Sequence, residues 1–142
     1  MIKKVITLQL LTAGLPAIKD KKLLPTFSKN KECFYLPGGK FDAGETSKQA
    51  LIREIAEELN VQLAETDLEY YTPIAVPAYG ETAGIVIEQD CFLLLPEIEP
   101  QAAAEIGELR YFSLAAYLQQ TKQAPGAVMI LQQLTGAGLL KK

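Results

Sequence analysis

The sequence predicts a mixed α/β fold, an α+β sandwich in a single domain over residues 1–142. Three observations carry that expectation. Short segments with strand alternation lie on both sides of one central helix, that helix is entered from a glycine-rich loop, and the C-terminal segment is helical. With 142 residues, 49% apolar and 22% charged, the chain can bury a substantial core and has the balance of a soluble globular protein.

The elements follow in order. Near the N-terminus, Val5, Thr7 and Gln9 alternate with Ile6, Leu8 and Leu10, the pattern of a strand with one buried face. The same stretch imitates a secretory leader, with a basic start and small residues near Ala17. Thr7, Gln9 and Thr12 interrupt its apolar middle, however, and the strand is the better reading. A turn is expected around Lys19–Lys22, then short strands through Leu23–Phe27 and through "CFYLP", which stops at Pro37. "GGKFDAGE" reads as a glycine-rich loop before the central helix. "LEYYTPIAVPA" and "GIVIEQDCFLLL" read as two strands rich in β-branched and aromatic residues, joined by a loop with Gly80 and Gly84. "LRYFSL" is expected to be a further strand. "LAAYLQQ" and "AVMILQQLTG" are expected to be helical, the latter entered from Pro125–Gly126 and ending near Gly136.

Composition excludes several chemistries. A net charge of −3 and a pI near 5.0 argue against stable nucleic-acid or anionic-membrane binding. No apolar run has the length of a transmembrane helix. With no histidine, a Cys/His zinc site lacks ligands and His-based triads are impossible. Acid–base work falls to Asp, Glu, Lys, Tyr or water. Cys33 and Cys91 are read as buried reduced thiols of a cytoplasmic protein.

The central helix has readable ends and an unusual face. Thr46 with Gln49 three residues later is a capping-box pattern, and Asn60 is suited to the left-handed residue that ends a helix. Leu51, Ile52, Ile55 and Leu59 fall in one sector, the core stripe. Glu54, Glu57 and Glu58 fall in the next sector, with Arg53 at its edge. Like charges at these spacings cost about 0.2–0.5 kcal/mol per pair. They also sit in the half of the helix where the macrodipole favours cations. An ordinary solvated charged face would not need this arrangement, and one arginine cannot offset three carboxylates. A bound divalent cation accounts for it better, since Mg²⁺ takes oxygen ligands and bridges carboxylates to phosphates. The adjacent glycines Gly38 and Gly39 let main chain approach a ligand closely, so the loop reads as the other jaw of a site.

These residues carry a resemblance. Gly39, five residues, Glu45, seven residues, then Arg53-Glu54-Ile55-Ala56-Glu57-Glu58-Leu59-Asn60-Val61 resembles the Nudix box, G-x5-E-x7-R-E-U-x-E-E-x-G-U. Only the final glycine departs, replaced by Asn60, the residue that best tolerates the left-handed conformation. The resemblance implies an α/β/α sandwich with a mixed sheet. It implies hydrolysis of a nucleoside diphosphate linked to another moiety, with Mg²⁺ or Mn²⁺ required. It would make Glu54, Glu57 and Glu58 metal ligands, with the Gly38 carbonyl as an extra one. Arg53 would orient the carboxylates, and Glu45 would pair with Arg53 or reach metal through water. Glu105 in "EIGELRYF" resembles the downstream acid of the mutator-type triphosphatases, as base or metal ligand, with Glu108 its competitor. The implied partner is a small nucleotide, and the implied state a monomer or homodimer.

Subgroup marks conflict. Pro77 resembles the proline of ADP-ribose hydrolases, and Tyr79 the tyrosine of dinucleoside polyphosphate hydrolases. The short chain leans towards the mutator-like triphosphatases. Phe27, Phe34, Tyr35 and Tyr79 are candidates to stack on a base, and Lys29, Lys31 and Lys40 to meet phosphates, with solvation the better account of the first two lysines. A nucleotide-binding regulator without turnover is the alternative, but it would have no need of the full set Arg53, Glu54, Glu57 and Glu58.

Overall fold

The computed structural model describes residues 8–77 and 85–142. Nine strands and three α-helices are assigned among them. They are β1 (Leu8–Gly14), β2 (Ile18–Lys19), β3 (Lys22–Leu23), β4 (Thr26–Ser28), β5 (Cys33–Tyr35), β6 (Gly38–Lys40), α1 (Ser47–Leu59), β7 (Leu68–Pro77), β8 (Ile85–Leu94), β9 (Ile106–Leu109), α2 (Leu114–Tyr117) and α3 (Pro125–Gly136). The main sheet runs β6-β1-β8-β7, with β1 and β8 parallel and the outer pairs antiparallel, so the sheet is mixed as expected. A second antiparallel sheet runs β5-β4-β9, and β2-β3 is a small hairpin.

Alternation along β8 shows why helices cover both faces of the main sheet. Phe92 packs with Leu51, Ile55 and Leu59 of α1, whereas Cys91, one residue earlier, packs with Ile130, Leu131 and Leu134 of α3. Successive strand side chains point to opposite faces, and on this strand both faces carry core. The α3 side is further tied by Tyr117, whose Oη donates to the Phe34 carbonyl at 2.7 Å and accepts from the Ala124 N–H at 2.9 Å. Both cysteines are free and buried. No described helix is long and apolar enough to cross a membrane.

Several expectations are corrected. Gly38–Lys40 is not loop but strand β6, paired with β1 through Gly14↔Gly38 and Thr12↔Lys40. Glycine pairs lack strand propensity, and here tertiary pairing overrides it. The strand expected through Leu23–Phe27 is broken into β3 and β4 around Leu24–Pro25, because proline has no N–H for a ladder. In the segment expected as "LRYFSL", the strand instead lies upstream at Ile106–Leu109, and Phe112 makes a single bridge to Leu23. The first residues of the expected N-terminal strand, and the loop with Gly80, Gly84 and Tyr79, lie outside the described residues.

Candidate active site

Helix α1 begins and ends as its sequence requires. Thr46 Oγ accepts from the Gln49 N–H at 3.2 Å, and Gln49 Oε1 accepts from the Thr46 N–H at 3.0 Å. Asn60 ends the helix at φ 55° and ψ 39°. The carbonyls of Glu58 and Leu59 are then met by the N–H groups of Ala103 and Gln101, at 2.9 and 2.8 Å. The chain leading to β9 is thereby fastened to the acidic end of the helix, and it carries Glu105. Ala104 in that turn holds φ 54°, a left-handed conformation that costs a non-glycine residue about 1–2 kcal/mol.

Arg53 is the hub of one half of the acidic face. Its Nε and Nη2 donate side-on to the two oxygens of Glu45, at 2.9 and 3.0 Å. Nη2 also donates to the Lys40 carbonyl at 3.0 Å, and Nη1 to Glu54 at 2.9 Å, with Glu57 3.6 Å away. Asp42 adds a contact at 3.1 Å, one that sequence reading missed because nothing in its spacing marks it. Glu45 also accepts from the Asp42 N–H at 2.7 Å. The arginine and that N–H hold the Glu45 carboxyl below its ordinary range. The acids around Arg53, Glu45 first, push its already high pKa higher still.

Glu58 occupies the opposite half. Burial lifts its pKa to about 8, the Gly38 N–H at 3.2 Å opposes that shift, and the neighbouring Glu54 and Glu105 charges reinforce it. Gly38 takes φ 133°, and a Cβ there would fall 2.0 Å from the Ala13 carbonyl oxygen, so only glycine lets β6 lie against β1 here. At Gly39 a Cβ would fall 2.7 Å from Glu54 Cδ. The two glycines therefore bring main chain against Glu58 and Glu54 respectively. Glu105 is held by Asn30, whose Nδ2 donates to Oε2 at 2.6 Å, while the Lys29 N–H donates to its carbonyl at 3.1 Å.

One cavity of about 350 Å³ gathers these groups. Glu54, Glu57, Glu58, Glu105, Gly38, Gly39 and Lys40 line it together with Asn30, Lys31 and Tyr35. Glu45 and Arg53 stand behind it. Glu108 is elsewhere, paired with Arg110 at 2.7 Å. Of the aromatic candidates, Phe34 is buried in the core and Phe27 packs against it edge-on. Tyr35 lines the cavity, with the Lys31 ammonium 5.3 Å from its ring centre. Lys29 is not among the lining residues. Thr12, Ser28, Asn30 and Gln89 also line the cavity and were not singled out in the sequence, because neutral polar residues in strands and turns carry no spacing signal.

Among the described residues no three acidic side chains already converge as a ready ligand shell. Glu54 and Glu57 are turned to Arg53. The donor set nonetheless suits a hard divalent ion: all-oxygen, crowded, without histidine or thiolate, and holding a carboxylate at Glu58 that its surroundings disfavour as an anion.

Comparison with known proteins gives the family of the chain. A 43-residue stretch is 51% identical to an ADP-ribose pyrophosphatase of Methanocaldococcus jannaschii, covering 28% of this chain and 25% of that protein. The match thus spans about a quarter of that relative's length. The MutT NUDIX hydrolase structure from Burkholderia pseudomallei is 22% identical, covering 88% of this chain and 96% of that one, at a TM-score of 0.70. A bifunctional NMN adenylyltransferase/ADP ribose pyrophosphatase from Francisella tularensis, solved with AMP and a Mn ion, is 21% identical over 93% of this chain and 42% of its own, at a TM-score of 0.68. At such identities the two structures show the shared fold alone. The NUDIX domain model, however, matches residues 12–134, most of the sequence, and by that match the chain belongs to the Nudix family.

Proposed function

We propose that this protein hydrolyses a pyrophosphate bond in a nucleoside diphosphate linked to another moiety, using Mg²⁺ or Mn²⁺ held by Glu54, Glu57 and Glu58, with the Gly38 carbonyl as a further ligand. The observation that carries the reading is the gathering of Glu54, Glu57, Glu58 and Glu105 on the wall of one cavity large enough for a nucleotide fragment, where burial raises the Glu58 pKa to about 8. A divalent ion there would neutralise pyrophosphate charge and make the attacking water more acidic. The chain's own groups do the rest. Arg53 fixes the rotamers of Glu54 and Glu57, and Glu45 in turn fixes Arg53. The Gly38 N–H aims Glu58 into the cavity. Glu105, held by Asn30, would take a proton from water or complete the ligand set. Lys31 and Lys40 line the same cavity and offer positive charge to phosphate oxygens.

The Methanocaldococcus stretch supports an ADP-linked substrate, as does the resemblance of Pro77 to the proline of ADP-ribose hydrolases. A nucleoside triphosphate is supported instead by the resemblance of Glu105 to the downstream acid of the mutator-type triphosphatases. Product formation read by chromatography (nucleoside mono- or diphosphate together with pyrophosphate, ribose phosphate or sugar phosphate) over ADP-ribose, NTPs, dNTPs, dinucleoside polyphosphates and nucleotide sugars separates them, run with Mg²⁺, Mn²⁺ and EDTA. Turnover confined to one class, abolished by EDTA and reduced about 10³-fold in Glu58→Gln, is the expected result. Nucleotide binding with no turnover across the whole panel would replace the hydrolase with a nucleotide-sensing regulator.

A further inference from the structure

The cavity that holds the acids has a second, uncharged region. Tyr35, Leu36, Ile87 and Ile106 line it with Thr12 and Gln89. Gln89 is out of place by strand logic. Its register partner on β7 is Ile74, and Cys91 two residues on shares its face; both are buried in the core beneath α3. A third aliphatic side chain would be expected there, yet a carboxamide occupies the position.

The surroundings are built to admit that carboxamide. A Cβ on Gly14 of β1 would fall 2.6 Å from Gln89 Cδ, 2.8 Å from Nε2 and 2.9 Å from Oε1, so the amide lies against bare strand backbone. On the other side, Gly126 in the first turn of α3 is likewise without a side chain, and a Cβ there would come within 4.0 Å of Oε1. Among the described residues the polar contact of this carboxamide is the Cys91 thiol, 4.0 Å from Oε1. A carboxamide has two N–H donors and a strong acceptor. On the wall of an open cavity such a group has capacity left for water or for a ligand. Gln89 also borders a smaller neighbouring cavity with Pro77, Ala124 and Pro125, so the space beyond it continues towards α3.

We propose that Gln89 is a specificity-determining residue, its carboxamide reading the hydrogen-bonding edge of the substrate's nucleobase while the glutamates act on the pyrophosphate. The inference rests on the nucleotide reading above and deepens it. A planar base lying near Tyr35 and Ile87 would present its polar edge to the group between Gly14 and Gly126. Bases are distinguished by the order of donors and acceptors on that edge, and an amide pairs with an adjacent donor and acceptor in the manner known for adenine. Thr12, the register partner of Gln89 on β1, lines the same wall with a hydroxyl.

Binding is the deciding measurement, because it does not depend on turnover. Calorimetric titration with Mg²⁺ and α,β-methylene analogues of ATP, GTP, CTP and UTP, beside inorganic tripolyphosphate as a base-free probe, would be run on wild type, Gln89→Leu and Gln89→Glu. Wild type is expected to rank the bases. Gln89→Leu, close in volume, is expected to weaken the preferred nucleotide by about tenfold and compress the ranking, with tripolyphosphate unchanged within twofold. Gln89→Glu, which keeps acceptors and loses the donors, is expected to reorder the bases. An unchanged ranking in both variants, equal loss for tripolyphosphate and nucleotide, or a wild type blind to the base would each overturn the proposal. Base-selective binding without hydrolysis would instead remove the hydrolase reading and leave the role of Gln89 standing.

Discussion

The two halves of the acidic face of α1 are opposites in electrostatic terms. Around Arg53 the acids are matched to a cation within the chain, one guanidinium serving four carboxylates: Glu45 takes it side-on, while Asp42, Glu54 and Glu57 stand within 3.6 Å of it. Around Glu58 they are not. Its hydrogen-bond partners are the Gly38 N–H and the Glu54 carboxyl, its charged neighbours Glu54 and Glu105 are acids, and its pKa rises to about 8 where that of Glu45 falls. The same residue type three turns of chain away thus sits in opposite states. The contrast separates acids that share an arginine from one acid that has no cation beside it. In the proposed function Arg53 and Glu45 are scaffold, and Glu54, Glu57 and Glu58 are the working end.

Breaking the matched half should have the larger effect, because it also deprives the working end of orientation. Arg53→Gln leaves Glu45, Asp42, Glu54 and Glu57 without a common partner. The expected loss is about 10²–10³-fold in kcat, together with about 1–3 kcal/mol of stability in urea melts. Arg53→Lys should recover little, since an ammonium cannot bind Glu45 side-on while reaching Glu54 and the Lys40 carbonyl. A kcat within a few-fold of wild type in Arg53→Gln would show that the two halves are independent.

The second test stays in the working half and sets two nearby glutamates against each other. Glu105 lines the cavity under the hold of Asn30, whereas Glu108 is spent on Arg110. Glu105→Gln is expected to lower kcat about 10–100-fold with KM little changed. Glu108→Gln is expected to leave both within twofold, and the reverse outcome would move the downstream acid to β9.

How much of this was visible beforehand follows from what each feature depends on. The limits of α1 and its acidic face were legible because they are local: Thr46, Gln49 and Asn60 act within four residues of the bonds they make, and helical spacing alone groups Glu54, Glu57 and Glu58. The Glu45–Arg53 pair was one of the two roles that the family resemblance implied for Glu45, and the two side chains stand 2.9 Å apart in the structure. Strand β6 was missed because its pairing with β1 is set across the sheet, and no local propensity in Gly38–Gly39 announces it. The strand at Ile106–Leu109 was displaced upstream for a related reason. Its partner is β4, and the aromatic run Tyr111–Phe112 that suggested a strand is instead occupied in a bridge to Leu23 and in ring contacts with Phe34 and Tyr117. Gln89 was invisible for the same reason in stronger form, since its meaning lies in Gly14 and Gly126, far from it in sequence.

The last test sharpens the comparison most directly, because it reads the two glutamates through stability alone. Glu58 has a folded-state pKa near 8 against an ordinary value of 4.5, so the folded form holds a proton that the unfolded chain releases. Its contribution is fully present below about pH 4.5 and is lost progressively as pH rises towards 8. Glu45 runs the other way: its lowered pKa stabilises the fold above the ordinary carboxylate range and fails only in acid, so it is silent between pH 5 and 8. In EDTA, Tm should therefore fall from pH 5 to pH 8 by roughly 10 °C on account of Glu58. Mg²⁺ should reverse that fall, raising Tm more at pH 8 than at pH 5, because an ion competes with the proton for the same carboxylates. Glu58→Gln should flatten the profile in EDTA and weaken the response to Mg²⁺. If wild type already shows a flat profile between pH 5 and 8, Glu58 is an ordinary anion and the contrast with Glu45 is lost.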